Sequence, residues 1–386
     1  MELANAEVVI IGAGVTGLSS AWWLAKAGAE VIVVDKGIVG WEASGRNGGI
    51  ISHRGYEPPV VPLAAESLRL WPHMDDDLGY PTEFSLGSLH VSLDEQEKEE
   101  LFESREDYRK LGIEVEWVDA ETVKEWVPLI SPKVMGAQYC KTDGHANPQR
   151  TVQAYAWAFL DQGGRLFQNT VVTDFNVDHD KVTSVVTNRG TIGCDLVVCA
   201  AGPQTGLLAE KVGAFVPVSP ARVEIIITAP VEPMWRGAIS GCSIYGRQTL
   251  RGNLAYGGGP HEWIDVSLET PRKPNTPLIR NLARRVAELY PGAANVPVIR
   301  SWAGVVEQTP DYLPIIDFLD RPSNFLVATV SAHGFGLSPA TGKVVSELVL
   351  HGESSVAIDT LRFGRFANVP RNWREQRGWV PAPEKG

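Results

Sequence analysis

The sequence predicts an α/β protein in which a parallel sheet covered by helices on both faces carries an inserted, predominantly antiparallel β domain with helices of its own. Three observations lead there. The first 36 residues read as apolar strand, glycine turn, helix, glycine stop and second apolar strand. The middle of the chain is rich in short β-like runs, and the pattern returns to strand and helix after residue 300.

Val8–Ile11 and Glu30–Val34 are apolar at nearly every position, as expected of strands buried on both sides in a parallel sheet. Between them Thr16–Lys26 suits a helix that Gly28 stops. Asp94–Arg105, dense in glutamate, reads as an exposed helix. Leu166–Thr187 reads as a hairpin or meander, and Asp195–Ala200 as a buried strand ending at Gly202. Val223–Thr228, Gly241–Tyr245 and Asn253–Gly257 suit antiparallel strands, and Pro277–Tyr290 a helix stopped by Pro291-Gly292. Phe325–Val330 is a last buried strand. A glycine-containing loop follows it, then a helix from Pro339 to His351, with Ser338 as its N-cap.

A chain of 386 residues exceeds what one core usually organises, so two domains are expected. With 44% hydrophobic and 21% charged residues, the composition excludes a disordered or fibrous chain. The net charge of -11 argues against a nucleic-acid partner, which would need clustered cations. Cys140, Cys194, Cys199 and Cys242 fall in no metal-binding or CxxC spacing, so no metal is expected and a reducing cytoplasm fits best. The acidic residues before Val8 and the glycines after Ile11 argue against an export signal, and no apolar run reaches the roughly 18 to 20 residues of a membrane span.

The strongest motif is Gly12-Ala13-Gly14-Val15-Thr16-Gly17, set between strand and helix, with Asp35 eighteen positions after Gly17. Gly12 permits the tight turn, Gly14 lets backbone approach a pyrophosphate, and Gly17 allows close helix–strand packing. The helix start, at Val15 and Thr16, offers N–H groups to phosphates, while Asp35, followed by Lys36, can accept ribose hydroxyls. This predicts a Rossmann-type dinucleotide-binding domain. Ser44-Gly45-Arg46-Asn47-Gly48-Gly49 follows the second strand and could wrap the rest of the cofactor with backbone N–H groups and the Arg46 guanidinium.

These motifs, together with Ala200-Ala201-Gly202, Thr309-Pro310-Asp311, Pro314-Ile315-Ile316-Asp317 and His333-Gly334-Phe335-Gly336, resemble the FAD-dependent amine and amino-acid oxidoreductases of the D-amino-acid oxidase superfamily. That group includes glycine oxidase, sarcosine oxidase and the β-subunits of heteromeric sarcosine, proline and opine dehydrogenases. The resemblance covers nearly the whole chain. It implies FAD as cofactor, with Val172 at the adenine, Ala201 and Gly202 near the pyrophosphate, and Gly334, Phe335, Gly336, Leu337 and Ser338 along the flavin. Gly304 stands where it places the flavin-linking cysteine of monomeric sarcosine oxidase, which implies non-covalent FAD. Ala255 stands where it places the oxygen-activating lysine, leaving oxidase and dehydrogenase both open.

The FAD-binding domain is thus expected from 1–90, 140–215 and 300–352, the substrate domain from 91–139 and 216–299, and a C-terminal tail from 353–386. The expected reaction is hydride removal from the carbon bearing a small amine or amino acid, followed by hydrolysis of the imine, with O2 or another acceptor taking the electrons. Candidate substrate residues are His333, His53, Arg54, Tyr245, Tyr256 and Trp302, with Arg247 and Glu307 also weighed. Two alternatives stay open: a 2-hydroxy-acid dehydrogenase, and a flavin-binding β-type subunit relaying electrons in a heteromeric complex, towards which Pro220–Glu224 and Pro230–Pro233 point by resemblance. A homo-oligomer is equally open. A second GxGxxG for a nicotinamide cofactor is absent from the sequence.

Overall fold

A computed structural model describes residues 2–52, 54–267 and 275–382. Strands, numbered along the chain, fall into two sheets. The first holds β1 (Glu2–Ile11), β2 (Val31–Val34), β7 (Arg165–Phe167), β8 (Val172–Asp178), β9 (Lys181–Thr187), β10 (Gly190–Cys199), β17 (Ile315–Phe318) and β18 (Phe325–Thr329). Its order is β17-β18-β10-β1-β2-β7, parallel except for the edge strand β17, with the β8–β9 hairpin attached to β10. The second holds β3 (Ile50–Ile51), β4 (Ser85–Ser92), β5 (Glu116–Asp119), β6 (Gly136–His145), β11 (Ser219–Pro230), β12 (Ala238–Gly241), β13 (Ile244–Gln248), β14 (Asn253–Gly258), β15 (Glu262–Trp263) and β16 (Val298–Gln308). There the order is β15-β11-β14-β13-β12-β4-β6-β3, with β16 on β11 and β5 on β6, all antiparallel but for β12 against β4.

The apolar pattern explains the layering. Val8 and Ile10 of β1 enter one core with Leu18 and Trp22 of the first helix and Leu337 and Val344 of the last long one. Val9 and Ile11 enter the opposite core with Ile32, Val34 and Val197. The back of the second sheet buries Leu89, Ile226, Ile244 and Tyr256 against Leu282 and Tyr290. Among the described residues no helix is long and apolar enough to cross a membrane.

Three expectations need correction. Residues 50–51, 85–92, 136–145 and 298–308 belong to the second sheet, so the 1–90, 140–215 and 300–352 segments do not map cleanly onto the first. The run Gly241–Tyr245 is two strands, because Cys242 and Ser243 both adopt left-handed φ (52° and 57°) and turn the chain. The last long helix runs Gly334–His351, starting more than a turn before Ser338. Pro339 therefore lies inside it, and the carbonyl of Phe335, which Pro339 cannot satisfy, accepts from Ser338 Oγ at 2.9 Å. The Gly336 carbonyl accepts from Trp71 Nε1 at 2.8 Å.

This helix packs directly on Val15–Lys26. Ser19 Oγ donates to the Ser338 carbonyl at 2.7 Å, Trp23 Nε1 to that of Pro339 at 3.1 Å, and a side chain at Gly342 would overlap Ser19. Gly342→Ala is expected to destabilise the protein by about 1–3 kcal/mol through overpacking, read as a lower urea midpoint at unchanged slope.

Candidate functional site

A cleft opens at the carboxyl ends of β1, β2 and β10, where ligands of open α/β sheets bind. It holds about 1140 Å³ of empty space counting its open mouth, enough for an extended ligand rather than a single ring. The fingerprint lines it: Gly12, Gly14, Val15 and Thr16, with Asp35 and Lys36 on one side, Ser44 and Asn47 on another, and Ala201, Gly202, Gly334 and Phe335 beyond.

Each glycine has a spatial reason. Gly12 sits at φ +112° with no room for a side chain beside the Ala200 carbonyl, and a side chain on Gly17 would overlap Gly12 O. Gly17 thus packs behind the cleft rather than lining it. A Cβ on Gly14 would lie 2.8 Å from Ser44 Oγ, and Gly202 adopts φ +54°. Bare backbone at Gly12, Gly14 and Gly202 leaves a cradle that a pyrophosphate fits and a Cβ would fill.

Asp35 is oriented by backbone: its Oδ2 accepts from Ala13 N and its Oδ1 from Gly37 N, both at 2.7 Å. The Thr170 N–H donates to the Asp35 carbonyl at 2.7 Å, which brings Thr170, Val171 and Val172 into the cleft wall. Ser44 Oγ accepts from Val15 N at 3.0 Å. The glycine loop is itself locked: Asn47 Oδ1 accepts from Gly49 N at 2.7 Å. Arg46 donates through Nε to Trp41 O (2.7 Å) and through Nη1 to Ala303 O (3.1 Å), and Trp302 Nε1 donates to Arg46 O at 2.8 Å. Arg46 and Trp302 therefore clamp the loop to β16 instead of facing a substrate. Gly304 fits below this clamp, its Cβ position 3.4 Å from Ala43 Cα. None of the four cysteines lines the cleft.

At the far wall the chain from Val330 to Gly334 is held in an unusual conformation. Ser331 and Ala332 have φ of 47° and 67°, a strained region for non-glycine residues. Ser331 Oγ pins the turn by donating to Gln308 Oε1 (3.0 Å) and accepting from Thr309 N (3.2 Å). Glu307 reinforces it: its buried Oε1 accepts from Thr329 Oγ1 (2.9 Å) and Val330 N (3.1 Å), and burial pushes its pKa up. The strained turn aims the start of the Gly334–His351 helix, at Gly334 and Phe335, into the cleft. Gly336 packs against Ile50 O and Tyr56 OH, while Leu337 and Ser338 are buried in the helix body and do not line the cleft. His333 lies edge-on to Tyr56, ring centroids 4.9 Å apart, and burial together with nearby His261 lowers its pKa to about 4.

The second sheet presents one face towards the glycine loop, and strand parity decides which residues reach it. Tyr245 does: it is 42% exposed, and a Cβ on Gly48 would lie 3.4 Å from its ring. Arg247, two residues on, shares that face and would lie 3.1 Å from a Cβ on Gly49. Tyr256 is the correction. It pairs with Gly246, points to the opposite face, and bonds Tyr290 in the apolar core. Arg54 is bound elsewhere too. Its Nε donates to Asp143 Oδ2 at 2.9 Å and its Nη1 to Gln138 Oε1 at 3.0 Å, with Ser88 completing a buried network. His53 lies outside the described residues.

Arg247 is different in kind. Only 6% exposed, it has no acceptor for its Nε among the described residues, and burial lowers its pKa to about 10 against the opposing charge of Glu83. Its cross-strand neighbours are Ala238 and Ala255, so the cation of this face stands beside position 255 rather than on it. Nearby His145, also 6% exposed, has no partner for Nδ1 among the described residues. His145, a lone histidine with no pattern around it, carries no signal in the sequence.

The fold and this cleft define a dinucleotide-binding α/β protein whose second sheet packs Tyr245 and Arg247 against the glycine loop beside the cleft. Comparison with known proteins gives the family: the family model FAD dependent oxidoreductase (DAO) matches residues 7–348, and the chain belongs to that family. It is 27% identical over 92% of its length to the sarcosine oxidase subunit beta of Rhodobacter capsulatus (87% of that chain). It is 28% identical over 90% of its length to the glycine oxidase of Geobacillus kaustophilus (94% of that chain). The crystal structure of L-proline dehydrogenase from P. horikoshii superposes with TM-score 0.84 at 26% identity, covering 97% of this chain and 99% of that one. The protein is an FAD-dependent oxidoreductase, and the residues that would hold FAD are those lining the cleft.

Two outcomes follow. Acid precipitation is expected to release FAD into the supernatant, since Gly304 and the cysteine-free cleft give it no covalent anchor; a yellow pellet would contradict this. His145 and His333 are both held near pH 4 against an ordinary 6.5. Between those values the unfolded chain binds protons that the native one refuses, so stability falls as pH falls through that window. Urea midpoints at pH 7.5, 5.5 and 4.5 measure the slope, which His145→Asn should reduce.

Proposed function

We propose that the protein oxidises the carbon–nitrogen bond of a small amino acid, removing a hydride from the carbon that bears the amine and leaving an imine that water hydrolyses. FAD, when bound in the cleft, supplies the hydride acceptor. The observation that carries the amino-acid reading is Arg247, a largely buried guanidinium whose Nε has no acceptor among the described residues, on the sheet face that opposes Gly48 and Gly49. Burial of this cation is offset only in part by the charge of Glu83, and a substrate carboxylate would relieve it further while fixing the substrate's orientation. Tyr245 would form a neighbouring wall of the same site. His333, neutral above pH 4, supports a site with no second fixed cation at the turn from which it projects. The names of the relatives, oxidases and dehydrogenases of sarcosine, glycine and proline, agree with a small secondary or primary amino acid.

A second reading has its own observation. Several relatives are named as subunits, which supports this chain acting as the flavin-binding part of a heteromeric complex that passes electrons on. Co-purification of a partner chain would favour it.

Anaerobic mixing with glycine, sarcosine, proline, D-amino acids and 2-hydroxy acids should bleach the flavin with one of the amino acids and not with the hydroxy acids. Admission of air then separates oxidase from dehydrogenase by the rate of colour return. Arg247→Gln is expected to raise KM for the carboxylated substrate by about 10- to 100-fold, the loss of a charge-assisted hydrogen bond. Bleaching by hydroxy acids alone, or an unchanged KM, would overturn the proposal.

A further inference from the structure

We infer that Glu307 holds the cofactor as a hydrogen-bond donor: its Oε2 gives a proton-bearing contact to the diphosphate cradled by the Gly12, Gly14 and Gly202 backbone, and FAD binding is thereby coupled to a proton. The inference concerns the cofactor and stands whichever substrate is oxidised.

The two oxygens of this carboxyl have different surroundings. Oε1 accepts from Thr329 Oγ1 and Val330 N and belongs to the strained turn. Among the described residues no other residue bonds Oε2. Oε2 lies instead beside Gly202, where a Cβ would stand 3.6 Å from it. Glu307 lines the cleft together with Val305 and Val306, although only 6% of the residue is exposed. A polar atom buried to this degree and opening onto a cleft draws its partner from the cleft. Gly202, at φ +54°, is part of the bare backbone that a pyrophosphate fits, so that partner is a phosphate oxygen.

A phosphate oxygen accepts and carries negative charge. An ionised carboxylate beside it would only repel, whereas a carboxylic acid can donate. Burial favours the acid form, and the bonds from Val330 N and Thr329 Oγ1 oppose it in part. No cation beside Glu307 holds it ionised. On β11 its cross-strand partner is Pro220, and Arg222 on the same face is held by Glu262 at 2.8 Å. The turn from Gly202 to Gln204 brings no ionisable group, and His333 is neutral above pH 4. Asp311, further along the chain, pairs with Arg365 at 2.7 Å. Across the cleft Lys36 faces Glu42 at 3.4 Å, and Asp35 accepts from two backbone N–H groups. A diphosphate alongside adds negative charge and shifts Glu307 further towards the acid.

The sign follows. The donor form is lost as pH rises through the Glu307 pKa of the cofactor-free protein. Above that point binding must first take up a proton, so affinity falls with rising pH.

The test uses the full chain stripped of FAD. It is titrated by calorimetry with FAD and, separately, with ADP-ribose, which carries the same diphosphate diester without the flavin. The range is pH 6.5 to 9.5, where His145 and His333 do not titrate, in two buffers of different ionisation heat. For both ligands Kd should rise with pH, towards about tenfold per pH unit, with uptake approaching one proton in the same range. Glu307→Gln keeps an acceptor for Thr329 and Val330 and puts a non-ionising N–H donor at Oε2. Its Kd should stay close to that of the wild type at pH 6.5 and lose its pH dependence and proton uptake. Glu307→Leu should raise Kd about tenfold at pH 6.5, the worth of one charge-assisted hydrogen bond. Thermal unfolding of each cofactor-free variant reports whether it is folded. A role confined to bracing the turn would shift unfolding and leave the pH slope in place. A pH-independent Kd in the wild type, absence of proton uptake, a slope seen with FAD but not with ADP-ribose, or a slope that persists in folded Glu307→Gln would each overturn the inference. The wild-type measurements decide it even if a variant does not fold.

Discussion

The first helix begins where it does only because Gly17 carries no side chain. Any Cβ there would overlap the Gly12 carbonyl, so the helix sits against the end of β1 at a distance that hydrogen alone permits. The rest of the site is referenced to that contact. It sets the direction in which the positive end of the Val15–Lys26 helix points. It fixes Val15 N against Ser44 Oγ and hence the origin of the glycine loop. It also fixes the surface on which the Gly334–His351 helix is seated, through Ser19 and Gly342. Two helix N-termini thereby face one cleft without any ion pair between them.

The second sheet adds the chemistry by parity. On β13 the odd-numbered residues Tyr245 and Arg247 look towards the glycine loop while Ile244 goes to the apolar core. Their cross-strand neighbours on that face, Ala238, Ala255 and Gly257, are all small. Charges on the sheet divide into two kinds. Arg54 is neutralised by Asp143 and braces the strand junction, whereas Arg247 is buried with its Nε unbonded and only the more distant charge of Glu83 to offset it. The unbonded Nε of the second arrangement costs stability, since a buried donor without an acceptor carries its full desolvation penalty.

The cofactor half was legible in the sequence because each of its requirements is local. Gly12, Gly14, Gly17 and Asp35 lie within one strand–helix–strand unit, and their roles follow from spacing. The substrate half depends on pairings between distant segments. Nothing near Tyr256 reveals that it pairs with Gly246 and so turns away from Tyr245. Nothing near Arg54 reveals Asp143, 89 residues on. The start of the last helix was hidden for a different reason: Ser338-Pro339 has the composition of a helix beginning, but Ser338 Oγ instead satisfies the carbonyl that Pro339 leaves free. The turn at Cys242-Ser243 escaped notice because neither residue is a glycine or an asparagine, the usual occupants of left-handed positions.

The chain crosses between the two sheets four times, and the last crossing runs from β16 into β17. One consequence concerns synthesis. β18 covers one flank of β10, yet its residues, Phe325–Thr329, emerge from the ribosome more than 120 positions after Cys199. Until then the apolar edge of β10 has no parallel partner on that side, and the wall of the cleft that depends on Ser331 and the last helix does not exist. A nascent chain of 300 residues is therefore a sticky, incomplete particle rather than a finished module, in need of shielding until its final sixth is released.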